Sequence, residues 1–103
     1  MVLTEEQEQI RDMLRDFARE QLAPKAAEWD RTAHFPREEL RALGELGCCG
    51  MVVPEQWGGA GLNYISLALA LEEIAAGDGA TSTIISVQNS VVCGPISAFG
   101  TDA

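Results

Sequence analysis

Few side chains in this sequence have both the type and the company for chemistry. Glu72 and Glu73 form an acidic pair near the end of an apolar run. Two carboxylates divide acid–base work only if they converge on one substrate. Adjacent helical positions point about 100° apart, so these two diverge and read as polar-edge residues. His34 is the single histidine. It has no nucleophile or acidic partner at a recognisable spacing, and it reads as a loop residue. Cys48 and Cys49 are adjacent, so a bridge between them would be strained. With Cys93 they make an odd count and no metal-ligand spacing, so reduced thiols are the plain reading. The segment 54–61, PEQWGGAG, has the glycines of a phosphate loop. It matches neither G-x-x-x-x-G-K-[ST] nor G-x-G-x-x-G, and no lysine is near. Its glycines fit a tight turn packed closely against neighbouring backbone.

What remains is the stretch 81–93, TSTIISVQNSVVC. Its β-branched content favours strands, and Asn89-Ser90 would serve as a turn. The helical reading has better internal logic. Ile84, Val87, Gln88 and Val91 then share one face at i, i+3, i+4 and i+7. Ser82, Ser86, Asn89, Ser90 and Cys93 fall on another. A stripe of small polar residues on an uncharged helix either admits a second helix closely or lines a cavity, and helix packing is the plainer of the two.

The elements that would position this stretch are helical. Thr4-Glu5-Glu6-Gln7 fits a capping box. Ile10, Met13, Leu14 and Phe17 follow at helical spacing. Arg11, Arg15 and Arg19 alternate with Asp12, Asp16 and Glu20 as a solvated ladder, with Asp12–Arg15 and Asp16–Arg19 at pairing distance. Pro24 either breaks this helix or opens a short second one over residues 25–30, where Trp29 is a packing anchor. Pro36 begins a further helix, with Leu40, Leu43 and Leu46 as its buried face and Gly47 as a left-handed cap. Residues 48–53 form an apolar connector that reads as extended, though no partner strand is evident. Asn63 caps the next helix. Its core, residues 65–76, is apolar on nearly every face and reads as buried all round. Asp78-Gly79 turns the chain. Gly94-Pro95 stops the helix over 81–93, and residues 96–99 begin another.

The 103 residues suffice for one domain. A formal net charge of −9 argues against nucleic acid and against anionic membrane surfaces. No apolar run reaches the ~18 residues of a membrane helix. The acidic, amphipathic N-terminus is neither a signal nor a transit peptide. All seven basic residues lie between Arg11 and Arg41, and residues 42–103 contain none. The first part reads as a solvated surface. The second, above all residues 64–94, reads as the wall of something larger than this chain.

Several runs carry a family resemblance. They are LTEEQ at 3–7, RDFAREQLAP at 15–24, FP at 35–36 and LGELG at 43–47. With them go VPEQWGGAGL at 53–62, LEEIA at 71–75 and SVQNSVVCGPI at 86–96. In order and spacing the set resembles the start of an acyl-CoA dehydrogenase, over essentially the whole chain. The run at 86–96 is most similar to the short-chain, butyryl-type branch.

The resemblance implies an all-α, up-and-down bundle of about five to six helices. It implies that 1–103 is a single N-terminal domain of a larger flavoenzyme whose middle β domain and C-terminal helical domain lie outside this chain. Such enzymes oxidise the Cα–Cβ bond of an acyl-CoA thioester with FAD and pass electrons to an electron-transfer flavoprotein, usually as homotetramers. They work in the cytoplasm of bacteria or the mitochondrial matrix of eukaryotes. The catalytic glutamate and main flavin contacts belong to the other domains, so no catalytic residue is expected here. Carried over by position, Thr83, Ile84, Val87, Gln88 and Val91 would bind the acyl end of the substrate. The alternative is a stand-alone helical interaction module that keeps the fold without catalysis.

Overall fold

The computed structural model describes residues 2–102. Thr4 starts the first helix, α1 (Glu5–Phe17), through the expected capping box. The Gln7 N–H donates to Thr4 Oγ1 at 3.1 Å, and the Thr4 N–H donates to Gln7 Oε1 at 3.0 Å. Two N–H groups that a helix start leaves without partners are thereby satisfied.

The chain stays helical past α1, through a π-helical segment (Ala18–Leu22) and into α2 (Ala23–Thr32). Pro24 explains the wide turn. Proline has no N–H, and its ring would clash with the carbonyl four residues back. The π turn shifts the pattern, so the Ala23 N–H donates to Ala18 O and Pro24 falls in the first turn of α2, where no donor is needed. Gly94-Pro95 behaves the same way. A π segment (Gln88–Cys93) leads directly into α6 (Gly94–Phe99), with Pro95 in its first turn and Gly94 at φ −57° and ψ −58°. Gly94-Pro95 therefore does not stop the helix, contrary to the sequence expectation. The preceding π turn has already absorbed the missing donor.

α2 ends on Ala33 at φ 55°, and the His34 ring tilts against Trp29 with centroids 5.8 Å apart. α3 (Arg37–Glu45) follows Pro36 and closes at Gly47, whose φ of 90° is the left-handed cap foreseen. Leu43 is fully buried and Leu40 packs beside it, but Leu46 is 43% exposed. It stands at the C-cap, where the helical spacing that put it on the buried face has already ended. Residues 48–53 are not extended. They open with a 3₁₀ turn (Cys48–Gly50) that buries Cys48 and leads into the buried Met51.

α4 (Tyr64–Gly77) is capped by Asn63, whose side chain accepts the Ser66 N–H at 2.9 Å. Its buried stripe is Ser66, Leu67, Ala70 and Ile74, packed on Leu14, Ala18 and Leu22. Arg15 stands opposite Glu73 and Ala18 against Gly77, so the first run and α4 point the same way. A Cβ on Gly77 would lie 2.9 Å from the Ala18 backbone oxygen, and this close approach is what the glycine permits. Each fully buried Leu or Ile contributes about 1.5–3 kcal/mol. The helix is not buried all round within this chain: Tyr64 is 71% exposed, and Ile65, Ala68, Ala75 and Ala76 also face out. One residue, Asp78, both ends α4 and caps α5 (Gly79–Val87) by accepting the Thr81 N–H. Ser82 Oγ donates back to Leu71 O at 3.0 Å, which closes the α4–α5 hairpin. The described residues contain six α-helical segments, with π and 3₁₀ segments between them, and no strand, so the all-α fold holds.

Candidate functional site: the outward strip of α5

The face of α5 that packs inward is the one of mixed polarity. Thr81, Ser82, Ile85 and Asn89 are buried, at 0%, 9%, 1% and 1% exposure. They recur at i, i+1, i+4 and i+8, the spacing of one helical stripe. The face that carries two valines turns out. Val87 is 44% and Val91 64% exposed, and Thr83 shares their side of the helix. Thr83 spends its hydroxyl on its own helix, donating to Gly79 O at 3.1 Å. Gln88 is half-buried and its amide donates to Cys93 Sγ at 3.6 Å. Ile84 diverges from the row and lines a groove of about 320 Å³ with Trp29, His34, Phe35, Pro36 and Thr81. Thr83, Val87 and Val91 thus form one outward row, with Ile84 and Gln88 along its flank.

Polarity explains why the inward face is the polar one. Each buried polar group on it has a fixed partner. Asn89 Oδ1 accepts the Met51 N–H at 2.8 Å, and Nδ2 donates to Cys48 O at 2.7 Å and Ile85 O at 2.9 Å. Among the described residues no buried side-chain nitrogen or oxygen lacks a partner. With those bonds made, burial costs little, and the valines remain outside.

The other candidates resolve as structure. Glu73 is more than an edge residue. It holds Arg15 in a two-pronged ion pair, at 2.8 Å to Nη2 and 3.2 Å to Nε, across the α1–α4 contact. Arg15 therefore leaves the expected ladder. Arg11 pairs with its neighbour Asp12 instead of Asp12 pairing with Arg15. Burial pushes the Cys48 thiol up to about 12. Cys49 is also raised, first by burial and then by the nearby Cys93. All three cysteines are free, and neither Cys48 nor Cys49 is a thiolate nucleophile at neutral pH. No group of three His, Cys, Asp or Glu among the described residues is placed to hold a metal.

The glycines of the loop have no donor left for a phosphate. Six consecutive N–H groups, from Trp57 to Leu62, donate to backbone carbonyls of residues 50–55. The closest of these bonds is Leu62 N to Met51 O at 2.7 Å. A Cβ on Gly59 would sit 2.1 Å from Val53 O, so this glycine exists for backbone packing. With no Lys or Arg beyond Arg41, this half of the chain fits neither the pyrophosphate of a dinucleotide nor the phosphates of a CoA.

The described residues thus form an all-helical domain that leaves an uncharged, largely apolar strip outward. Comparison with known proteins gives its family. Residues 4–103 match the acyl-CoA dehydrogenase N-terminal domain, and the chain belongs to that family. It is 44% identical over 99 residues to the mitochondrial short-chain specific acyl-CoA dehydrogenase of Bos taurus, covering 96% of this chain and 24% of that protein. It is 42% identical to an acyl-CoA dehydrogenase of Bacillus subtilis, over 99% of this chain and 27% of the relative. The solved butyryl-CoA dehydrogenase of Megasphaera elsdenii superposes with a TM-score of 0.92 at 31% identity, over 99% of this chain and 27% of the other. A chain in a structure described as the electron transferring flavoprotein of Acidaminococcus fermentans gives a TM-score of 0.93 at 39% identity, over 99% of this chain and 27% of that one. The chain thus spans about a quarter of the length of the relatives it matches. Among the described residues no helix is long and apolar enough to cross a membrane.

Proposed function

We propose that this chain is the N-terminal helical domain of a larger FAD-dependent acyl-CoA dehydrogenase, and that Thr83, Ile84, Val87, Gln88 and Val91 line the acyl end of its substrate cavity. The observation that carries this is the outward row of Val87 and Val91 on a helix whose inner face is fully bonded. An acyl chain is an apolar ligand, and a strip free of charge suits it. FAD, held by parts of the protein outside this chain, would accept the hydride from the β-carbon. The base for the α-proton is likewise sought outside this chain. The strip's own work is to exclude water from the acyl end and to limit its length. Each methylene buried there contributes about 0.8 kcal/mol, so bulk added to the strip shortens the accepted chain. Similarity to short-chain enzymes favours a small acyl group.

The same reading gives the complete protein an electron-transfer flavoprotein as electron acceptor and a homo-oligomeric, tetrameric assembly. It places it in the cytoplasm of a bacterium or the mitochondrial matrix of a eukaryote. The alternative, a stand-alone interaction module, predicts a native product of about this chain's mass. The test is acyl-CoA dehydrogenation by the complete protein, with four- and eight-carbon acyl-CoA compared in wild type and Val91→Phe. Activity with a shift toward the shorter substrate in the variant supports the proposal. Activity with an unchanged preference removes the strip from the cavity, and no activity removes the enzyme reading.

A further inference from the structure

The Asn89 side chain makes three hydrogen bonds in a buried place. It is 1% exposed and sits inside the π segment Gln88–Cys93, between the half-buried Gln88 and the outward Val91. Its carboxamide bonds to the backbone at two places 38 and 41 residues away, Met51 N and Cys48 O, and to Ile85 O on its own helix. The amide uses its oxygen once and its nitrogen twice. No other side chain of similar size supplies one acceptor and two donors in that fork.

These bonds have a geometric consequence. A π turn holds one more residue than an α turn, so it changes the direction in which later side chains point. π turns inside helices recur at functional sites. Here the turn lies between Val87, at the end of α5, and Val91 within the π segment. Asn89 stands at that junction. It clamps the segment to the turn Cys48–Gly50 and to Met51, which are themselves joined to the glycine loop by Ala60 N to Gly50 O and Leu62 N to Met51 O. The orientation of Val91 relative to Val87 is therefore fixed from behind, by a group on the opposite face of the helix.

We propose that Asn89 is a positioning residue for acyl-chain length: its carboxamide holds the π segment against the Cys48–Met51 turn and so sets where Val91 and Gln88 stand along the acyl cavity. This rests on the reading of the outward strip as the acyl-end lining. Asn89 itself touches no substrate. Removing the fork leaves the Met51 N–H and Cys48 O without partners in a buried place and frees the π turn to relax. The reacting carbons lie at the other end of the acyl chain, so the effect falls on discrimination between chain lengths.

The experiment uses the complete protein and compares kcat/KM for four- and eight-carbon acyl-CoA. The variants are Asn89→Ala, Asn89→Asp, which keeps the shape and the acceptor but loses both donors, and the control Leu14→Ala. Leu14 is fully buried on α1, so its loss weakens the domain without touching the π segment. The expected result is that the ratio of the two kcat/KM values changes about tenfold in both Asn89 variants, the lower end of what one methylene decides in an apolar pocket. The change appears mainly in KM, and Leu14→Ala leaves the ratio within about twofold of wild type, because α1 packs chiefly on α4 and not on the Gln88–Cys93 segment, so its cavity acts on stability and not on the strip. If Asn89→Ala does not fold, Asn89→Asp carries the test. Hydrogen exchange at the Met51 amide in that variant checks that the clamp has been altered. An unchanged ratio in the Asn89 variants, with Val91→Phe still shifting preference, overturns the positioning role and leaves the acyl-end reading standing. An unchanged ratio in the Asn89 variants and in Val91→Phe alike overturns both. An equal shift in Leu14→Ala shows a general stability effect and also overturns the proposal.

Discussion

Gly59→Ala is the substitution whose cost the structure specifies most closely. A Cβ built there lies 2.1 Å from Val53 O and 2.5 Å from Val53 Cβ, and both are too close to persist. The obstacle is backbone, so no side-chain rotation relieves it. The loop must move away from residues 50–53. That breaks Ala60 N to Gly50 O, Gly61 N to Val53 O and Leu62 N to Met51 O. At a net ~1 kcal/mol per bond the loss is about 3 kcal/mol. Two other glycines serve as internal controls. Gly58 has open space around its Cβ position but a φ of 85°, so Gly58→Ala costs only the left-handed penalty of about 1–2 kcal/mol. Gly79 has open space and lies in the first turn of α5, so Gly79→Ala is neutral or gains about 0.4–1 kcal/mol from the unfolded state. Urea unfolding followed by circular dichroism reads all three. With a slope of roughly 1–2 kcal/mol per molar for a chain of this size, Gly59→Ala lowers the midpoint by about 1.5–3 M. The order from most to least stable is Gly79→Ala, Gly58→Ala, Gly59→Ala. A Gly59 variant as stable as the Gly79 variant would refute the packing account of the loop and reopen a ligand-binding role for its glycines.

Two further outcomes follow from the same structure. The buried Cys48 thiol stays protonated in the fold up to about pH 12, whereas in the unfolded chain it ionises near its ordinary value of 9.0. The unfolded state therefore loses the proton first, and stability falls as pH rises from about 9 towards 12. Cys48→Ala removes that part of the alkaline loss, measured as midpoint against pH; an unchanged alkaline slope would contradict the burial argument. The exposed row of Val87, Val91, Val92, Ile96 and Phe99, with Tyr64 and Ile65 on α4, predicts that the isolated chain self-associates and binds a hydrophobic dye. A monodisperse monomer in light scattering with no dye binding would count against it.

Features written locally were legible from sequence. The Thr4–Gln7 box, the Asn63 cap, the Gly47 left-handed cap and the packing role of the 54–61 glycines each depend on residues a few positions apart, and each is present. Features made by distant partners were not. Glu73 meets Arg15 across 58 residues and Asn89 meets Met51 across 38, and no spacing rule connects them. The two faces read from the spacing were only partly right: Val87 and Val91 do share a side, and Ser82 and Asn89 are both buried, but Ser90 is exposed, Ile84 lines a separate groove, and Thr81 and Ile85 join the buried face. Which side turns inward depends on acceptors and donors from the Cys48–Met51 turn. Gly94-Pro95 misled for a related reason. A proline stops an α-helix only if the turn before it stays α, and here that turn is π. The positions of Thr83, Ile84, Val87, Gln88 and Val91 came from resemblance joined to periodicity. Of these, Ile84 stands apart in the groove beside Trp29.

The acyl-end role of the α5 strip is tested most directly by photo-crosslinking in the complete protein. An acyl-CoA bearing a photoreactive group at the terminal carbon of a short acyl chain is bound, irradiated and mapped by peptide mass spectrometry. The account predicts attachment within residues 83–91, at Val87 or Val91 first, suppressed by excess unlabelled substrate. Saturable attachment confined to peptides outside this domain would contradict it.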